Sequence, residues 1–504
     1  MECSGELGGL RFLMNVVLQG QQIQAANDDD GNYKAVFSAY SDPSTTEIYN
    51  ISLGVDLDAR VSLILNWLFF FHFTNHTSAE GIAYIAEGSE LMHAYGQLPQ
   101  SGSTRTRPRF KRVFFLADFG AKGDGIANDT KAFIDAWEMA CSFPLRTRLV
   151  IPVGSTYLVY PVNLGGPCRS KVTLKISGTI IAPKDPDVWI GLNPRKWLYF
   201  HGVNHLTVEG GGTINGMGKE WWARSCKRNS TNPCRHAPTA ITFHRCKNLK
   251  VKNLMLVNSQ QMHMAFTNCI RVLASHLKVI APATSPNTDG VHISASKGVE
   301  IKESIIRTGD DCISIVSNSS RIKIRNIVCG PGHGISIGSL GKSKSRAEVH
   351  DIIVDGAFIS NTENGVRIKT WQGGRGFASR ITFQNLLMKN VSNPIIIDQY
   401  YCDSLLPCPN KTLAVKVENI SFIHIKGTSA TEEAIKFSCS DDWPCEGLYL
   451  EDIQLHSYNR GVTRSFCWEA YGLSLGLVDP PACFSSSGGF IKEKGLSDSA
   501  IHSF

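Results

Sequence analysis

The chain has 504 residues, of which 42% are hydrophobic and 19% charged, with a net charge of +7. Such a composition supplies a sizeable core and excludes global disorder. The basic excess is mild and dispersed, which excludes a dedicated nucleic-acid binder and suits an acidic partner, and no apolar run reaches the ~18 residues of a membrane-spanning helix.

Residues 1–85 read as an irregular leader. Its Asp28–Gly31 stretch, DDDG, reads as a solvated loop, because the rest of a calcium loop is missing. Residues 61–73, VSLILNWLFFFHF, have the character of a secretion signal's apolar centre, although some sixty residues precede them. The competing reading is a buried element of a real N-terminal domain. Residues 86–112 form a basic linker or pro-segment, ending in SGSTRTRPRFKR. A repeat domain is expected over 113–490, with a short tail at 491–504. Near its start, NDTKAFIDAWEMACS (128–142) places Phe133, Ala136, Trp137 and Ala140 at helical spacing. The prediction is a helix that caps the open end of a solenoid.

From about residue 205 short β-branched runs recur, among them NLKVKN, GVEIKE, RIKIRN and RITFQN. A second series alternates with them: TDGVHIS at 288, DDCISIV at 310, GHGISIG at 332 and NGVRIKT at 364. Aligning this series puts Asp289, Asp311 and His333 in one column, twenty-two residues apart. Val291, Ile313, Ile335 and Val366 fill a second column, and Ile293, Ile315, Ile337 and Ile368 a third. Columns of aliphatics at alternate positions are what stacked parallel strands with one buried face require. Twenty-two residues is too short for a strand–helix–strand crossover and suits one coil of a solenoid. The leucine and asparagine pattern of a leucine-rich repeat is absent. The fold expected is all-β, a right-handed parallel β-helix.

Fifteen cysteines are too many for an ordinary cytosolic enzyme and too scattered for zinc fingers. Apart from Cys3 they form an even set. Cys402/Cys408 and Cys439/Cys445 each enclose five residues with a proline before the second cysteine. Cys226/Cys234, Cys312/Cys329 and Cys467/Cys483 are further candidate loop closures. Eight Asn-x-Ser/Thr sequons add weight to a secreted, disulfide-bonded protein.

With the aliphatics turned inward, His292, Ser314, Ser336, Arg367 and Lys369 face outward. Strict alternation would turn Asp289 inward, so its place in the patch requires the turn at Gly290 to re-aim it. Asp289, Asp310, Asp311 and His333 then meet on adjacent coils, beside Arg367 and Lys369. Carboxylates this close cannot all ionise freely, and a raised acid beside ionised neighbours is what acid–base cleavage of a glycosidic bond needs. Either aspartate motif alone reads more simply as a turn, and Arg-Ile-Lys alone as a solvated strand face. Their registry on successive coils outweighs those readings, and the basic pair argues against a bound metal.

The set NTDG (287–290), GDD (309–311), GHG (332–334) and RIK (367–369), in this order, resembles the polygalacturonases of glycoside hydrolase family 28, in particular their plant secreted branch. DFGAKGDGIANDT (118–130) and NPIIIDQYYC (393–402) strengthen the likeness, which spans roughly 113–490. The resemblance implies an inverting hydrolase of α-1,4 links in polygalacturonate that needs no cofactor. It implies Asp310 as the general acid, Asp289 and Asp311 as activators of water, and His333 as the group that holds the acid's protonation state. Arg367 and Lys369 would bind galacturonate carboxylates. Asn287 and Tyr401 would complete the subsites, with Tyr400 competing for the last role. The expected protein is a secreted cell-wall monomer whose partners are pectin and proteinaceous inhibitors, with no nucleic acid and no membrane. Rival readings are a rhamnogalacturonan hydrolase, a calcium-dependent pectate lyase, and a non-catalytic wall-polysaccharide binder.

Overall fold

The computed structural model describes residues 112–404, 408, 409, 411 and 413–484, and the backbone of four short strands before residue 36. The apolar run 61–73, the tail 491–504 and nearly all of the basic stretch 86–112 lie outside the described residues. Two units are distinguished, residues 1–103 and 104–504, with the division inside the stretch read as a linker. In the first unit Cys3–Leu7 pairs antiparallel with Leu10–Met14, and Ala25–Asn27 with Tyr33–Ala35. The segment read as irregular therefore carries two short antiparallel pairs.

The second unit is a right-handed parallel β-helix. One face is an eleven-stranded parallel stack that runs from Val162–Gly165 to Arg464–Trp468. Its central strands are Val291–Ser294, Ile313–Ile315, Ile335–Leu340, Asn364–Trp371 and Asn393–Tyr401. Val291 pairs with Ile313, Ile313 with Ile335, and Ile335 with Val366. These residues, and Ile293, Ile315, Ile337 and Ile368 beside them, are fully buried. Each such side chain contributes about 1.5–3 kcal/mol relative to exposure. Toward the start of the stack the same core is aromatic, with Phe200, Phe243 and Phe266 stacked at 5.3 and 5.6 Å between ring centres.

The rest of each coil is built from long strands such as Lys297–Arg307 and Ser319–Cys329. These bend where single residues adopt the left-handed region. Asn248, Arg271, Arg321 and Arg380 mark one column of corners, and Asn253, His276, Glu303 and Asn326 another. One residue at positive φ turns the chain without interrupting the ladder on either side, and asparagine accepts that conformation at low cost.

Helix α1, Thr130–Ser142, lays Phe133, Ala136, Trp137 and Ala140 against the first coils. The Trp137 indole donates to the Gly165 carbonyl at 3.1 Å and meets the Phe200 ring edge-on at 5.2 Å. A disulfide from Cys141 to Cys168 fastens the end of α1 to the solenoid. The five cysteine pairs marked by spacing all form. The even set of fourteen is not fully paired, however: Cys246 and Cys269 remain buried thiols on neighbouring coils. Of the sequon asparagines among the described residues, Asn128, Asn229, Asn318 and Asn419 are exposed.

Candidate active site

Asp289, Asp311 and His333 each sit two residues ahead of a core aliphatic, at the entrance to three successive strands. At the first and third of these entrances the chain passes so close to its neighbours that only glycine fits, while Cys312 stands at the second. A Cβ on Gly290 would lie 2.3 Å from the Ile306 side chain and 2.5 Å from the Cys312 carbonyl. Gly334 has φ +83°, and a Cβ there would lie 2.0 Å from the Asn364 carbonyl. These tight entrances break strict alternation and turn Asp289 to the outer face, where its Oδ2 accepts a hydrogen bond from Ser314 at 2.8 Å.

Each carboxylate is supported from the following coil. His292 Nδ1 and Ser314 Oγ are 2.8 Å apart, so the imidazole supports the hydroxyl that donates to Asp289. Ser336 donates to Asp311 Oδ1 at 2.7 Å, and Arg367 Nε donates to Ser336 at 3.2 Å. Arg367 Nη2 also reaches Asp311 Oδ1 at 3.0 Å, while Lys369 Nζ reaches Oδ2 at 2.9 Å. Asp310 Oδ1 accepts from the Asp311 backbone N–H at 2.7 Å and lies 3.1 Å from His333 Nδ1. Asp310 Oδ2 receives only a long contact, 3.4 Å, from the Asn287 amide.

The outward column is thus not a solvated face: Ser336, Arg367 and Lys369 are 0%, 8% and 7% exposed, because they form the support beneath Asp311. Arg367 and Lys369, read from sequence as substrate-binding cations, are both in contact with Asp311. Ligand atoms of Asp310, Asp311 and His333 lie within 4.8 Å of one another. With both Asp311 oxygens held by fixed cations, that trio offers a metal ion little uncompensated charge.

Burial, followed by the charges of Asp310 and Asp311, pushes Asp289 well above the usual carboxylate range, and the Ser314 hydrogen bond offsets only part of this. Burial also pushes Asp310 upward, but the His333 hydrogen bond and charge outweigh it, and Asp310 lies below the ordinary value. Burial acts to lower His333, and the Asp310 hydrogen bond and the nearby carboxylates overcome it, so His333 is raised. The raised acid of the cluster is therefore Asp289. The repeat alignment leaves open which carboxylate is raised; the imidazole beside Asp310 keeps that one low. His292 is half-buried and pushed down to about 4 by desolvation, hence neutral.

Asn287 holds its left-handed backbone, φ 56°, at the turn before Asp289. Tyr401 stands beside the cations, its ring 5.4 Å from Lys369 Nζ and edge-on to Trp371 at 5.3 Å. Tyr400 points elsewhere, its hydroxyl donating to Asp441 at 3.0 Å. Two site residues escaped the sequence reading. Glu363 lies 3.3 Å from His333 Nε2 and 3.8 Å from Arg367 Nη1. His263, buried and pushed down to about 4 by desolvation, holds the Asp289 carbonyl through its backbone N–H at 2.8 Å and its ring Nδ1 at 3.2 Å. Extending the repeat alignment one coil toward the N-terminus, to HMAF at 263–266, would have found it.

The model of the glycosyl hydrolases family 28 matches residues 141–470. A probable polygalacturonase of Arabidopsis thaliana is 63% identical over 79% of this chain and 90% of its own length. The polygalacturonase of Persea americana is 52% identical over 69% of this chain and 75% of its own. Among solved structures, the polygalacturonase of Erwinia carotovora superposes with a TM-score of 0.60 at 22% identity, over 75% of this chain and all of that one. An endo-xylogalacturonan hydrolase of Aspergillus tubingensis gives 0.62 at 24% identity, over 73% of this chain and 99% of its own. These two likenesses carry the fold alone. The four motifs, the coil on which each stands and the extent of these matches agree, and the chain belongs to glycoside hydrolase family 28.

Proposed function

We propose that this glycoside hydrolase is a polygalacturonase that cleaves α-1,4 galacturonosyl links with inversion. The observation that supports it most is the pairing of a proton-holding Asp310–His333 couple with an Asp289–Asp311 pair, backed by two buried cations. Asp310 Oδ1 is occupied by His333 and a backbone N–H, which leaves Oδ2 open to a leaving oxygen. The couple shares one proton at a pH where an isolated aspartate has lost its own; as the glycosidic bond breaks, that proton passes through the Asp310 carboxyl to the leaving oxygen and leaves His333 neutral beside ionised Asp310. Asp289 and Asp311 act together on the attacking water. Arg367 and Lys369, each with donors to spare, and Tyr401 beside them, form the uronate-binding side of the cleft. Six disulfides call for an oxidising compartment, which supports action outside the cytosol, in the wall that holds such a substrate.

The test is to incubate the protein with polygalacturonate and a chelator while following reducing ends and ultraviolet absorbance. Reducing ends without absorbance are expected. Absorbance that disappears on chelation would mean a lyase, and neither signal would mean a binder.

A further inference from the structure

Away from the carboxylates, the outer face of Lys247–Val257, Ile270–Ile280, Lys297–Arg307 and Ser319–Cys329 carries a groove of ≈ 750 Å³. These strands belong to a different sheet from the one whose strands follow Asp289, Asp311 and His333. Lys250, Arg271, Lys297, Arg321 and Lys323 line the groove, and all five are exposed. Neighbouring cations are paired, Lys252 with Glu209 and Arg325 with Glu300. Among the described residues these five form no ion pair. Glu300, also on the lining, is taken up by Arg325. Between the cations the floor is apolar, with Ile270 40% exposed and Leu273 half-buried.

The spacing follows from the fold. Lys250 pairs in register with Leu273, Leu273 with Glu300, and Glu300 with Lys323. Strands in a ladder lie ~4.8 Å apart, so the cations rise along the solenoid axis over four coils. Single exposed charge contacts are weak, but contacts repeated along one polymer add as avidity. A polymer with a carboxylate on every sugar, and apolar C–H faces between, matches basic rims above an apolar floor. We infer that this groove is a second binding site for a polyuronate chain, separate from the cleavage site, that keeps the enzyme on its polymer between cuts. The choice of polyuronate rests on the polygalacturonase reading.

A combined variant, Lys250→Gln, Arg271→Asn, Arg321→Asn and Lys323→Gln, tests it. Asparagine is chosen at 271 and 321 because both backbones are left-handed, φ 59° and 55°. Melting temperature serves as the folding control, and three probes are used: immobilised polygalacturonate, immobilised polyglutamate and soluble trigalacturonate. At low ionic strength the variant should be retained on polygalacturonate at least about fivefold more weakly than the wild type, and added salt should erase the difference. Hydrolysis of trigalacturonate, which reaches only the cleft, should stay within about twofold. Equal retention of both proteins on polygalacturonate would overturn the inference. So would an equal loss on polyglutamate, which would make the face a dock for acidic protein. If the wild type cleaves no galacturonate at all, the reaction assignment fails, while the retention arms still decide the groove.

Discussion

Asp311 accepts hydrogen bonds from Arg367, Lys369 and Ser336 at once, and this changes what loss of either cation should do. A residue that only bound substrate would raise KM and leave kcat alone. Arg367→Ala also removes a buried partner from Asp311, the carboxylate proposed to help activate water, and such losses cost several kcal/mol when the charge stays buried. The expected result is a fall of about 10²–10³ in kcat/KM, shared between a lower kcat and a higher KM. A change confined to KM would show that the contact with Asp311 has no catalytic weight. Asp310→Asn should act differently. An amide cannot deliver a proton, and general acid assistance is worth about 10²–10⁴, so kcat on polygalacturonate should drop at least ~10²-fold with KM little changed. Retention of more than about a tenth of wild-type kcat would move the acid role to another group.

At the scale of the coil, the entrances matter as much as the strands. Gly334 holds φ +83° against the Asn364 carbonyl and directly follows His333. Gly334→Ala should cost about 1–3 kcal/mol through backbone strain and steric overlap. It should also lower kcat by displacing the imidazole from Asp310. Thermal melting and kcat measured together check this, and an unchanged melting temperature would mean that the turn yields. Much at this scale was legible from the chain. The columns through Val291 and Ile293 could be read because inward positions demand one residue class on every coil. Asp289, Asp311 and His333 could be read because the coils that carry them share one length. The corners were hidden because asparagine, arginine, histidine, glutamate and glycine all occupy them, united only by φ. Glu363 was hidden because it reaches the site from a turn, outside the strand register. That Arg367 and Lys369 hold Asp311 could not be read either, since registry shows which side chains are near and not which atoms they choose.

For the whole molecule the test lies in the pH dependence of kcat/KM, where three groups shifted by one another set two limbs. In the proposed mechanism Asp289 must lose its proton to help activate water, and its pKa lies well above the usual carboxylate range through burial and the charges of Asp310 and Asp311. Activity should therefore rise with pH through a value higher than the ~3.9 of a free aspartate. In the same mechanism the Asp310–His333 couple must keep its proton to protonate the leaving oxygen. His333 lies above its ordinary value because the carboxylates around it outweigh burial, so activity should fall only as pH passes above the ~6.5 of a free histidine. Two substitutions separate the limbs. Ser314→Ala removes the hydrogen bond that favours ionised Asp289, so the acid limb should move to higher pH while the alkaline limb stays in place. His333→Gln removes the titrating imidazole, so the alkaline limb should lose its histidine component and Asp310 should recover a higher pKa. Rate profiles on polygalacturonate across about pH 3 to 9 would record both shifts. If Ser314→Ala moves the alkaline limb, or His333→Gln leaves it unchanged, the two pairs are not divided between the limbs as the geometry indicates, and the acid and the base must be reassigned.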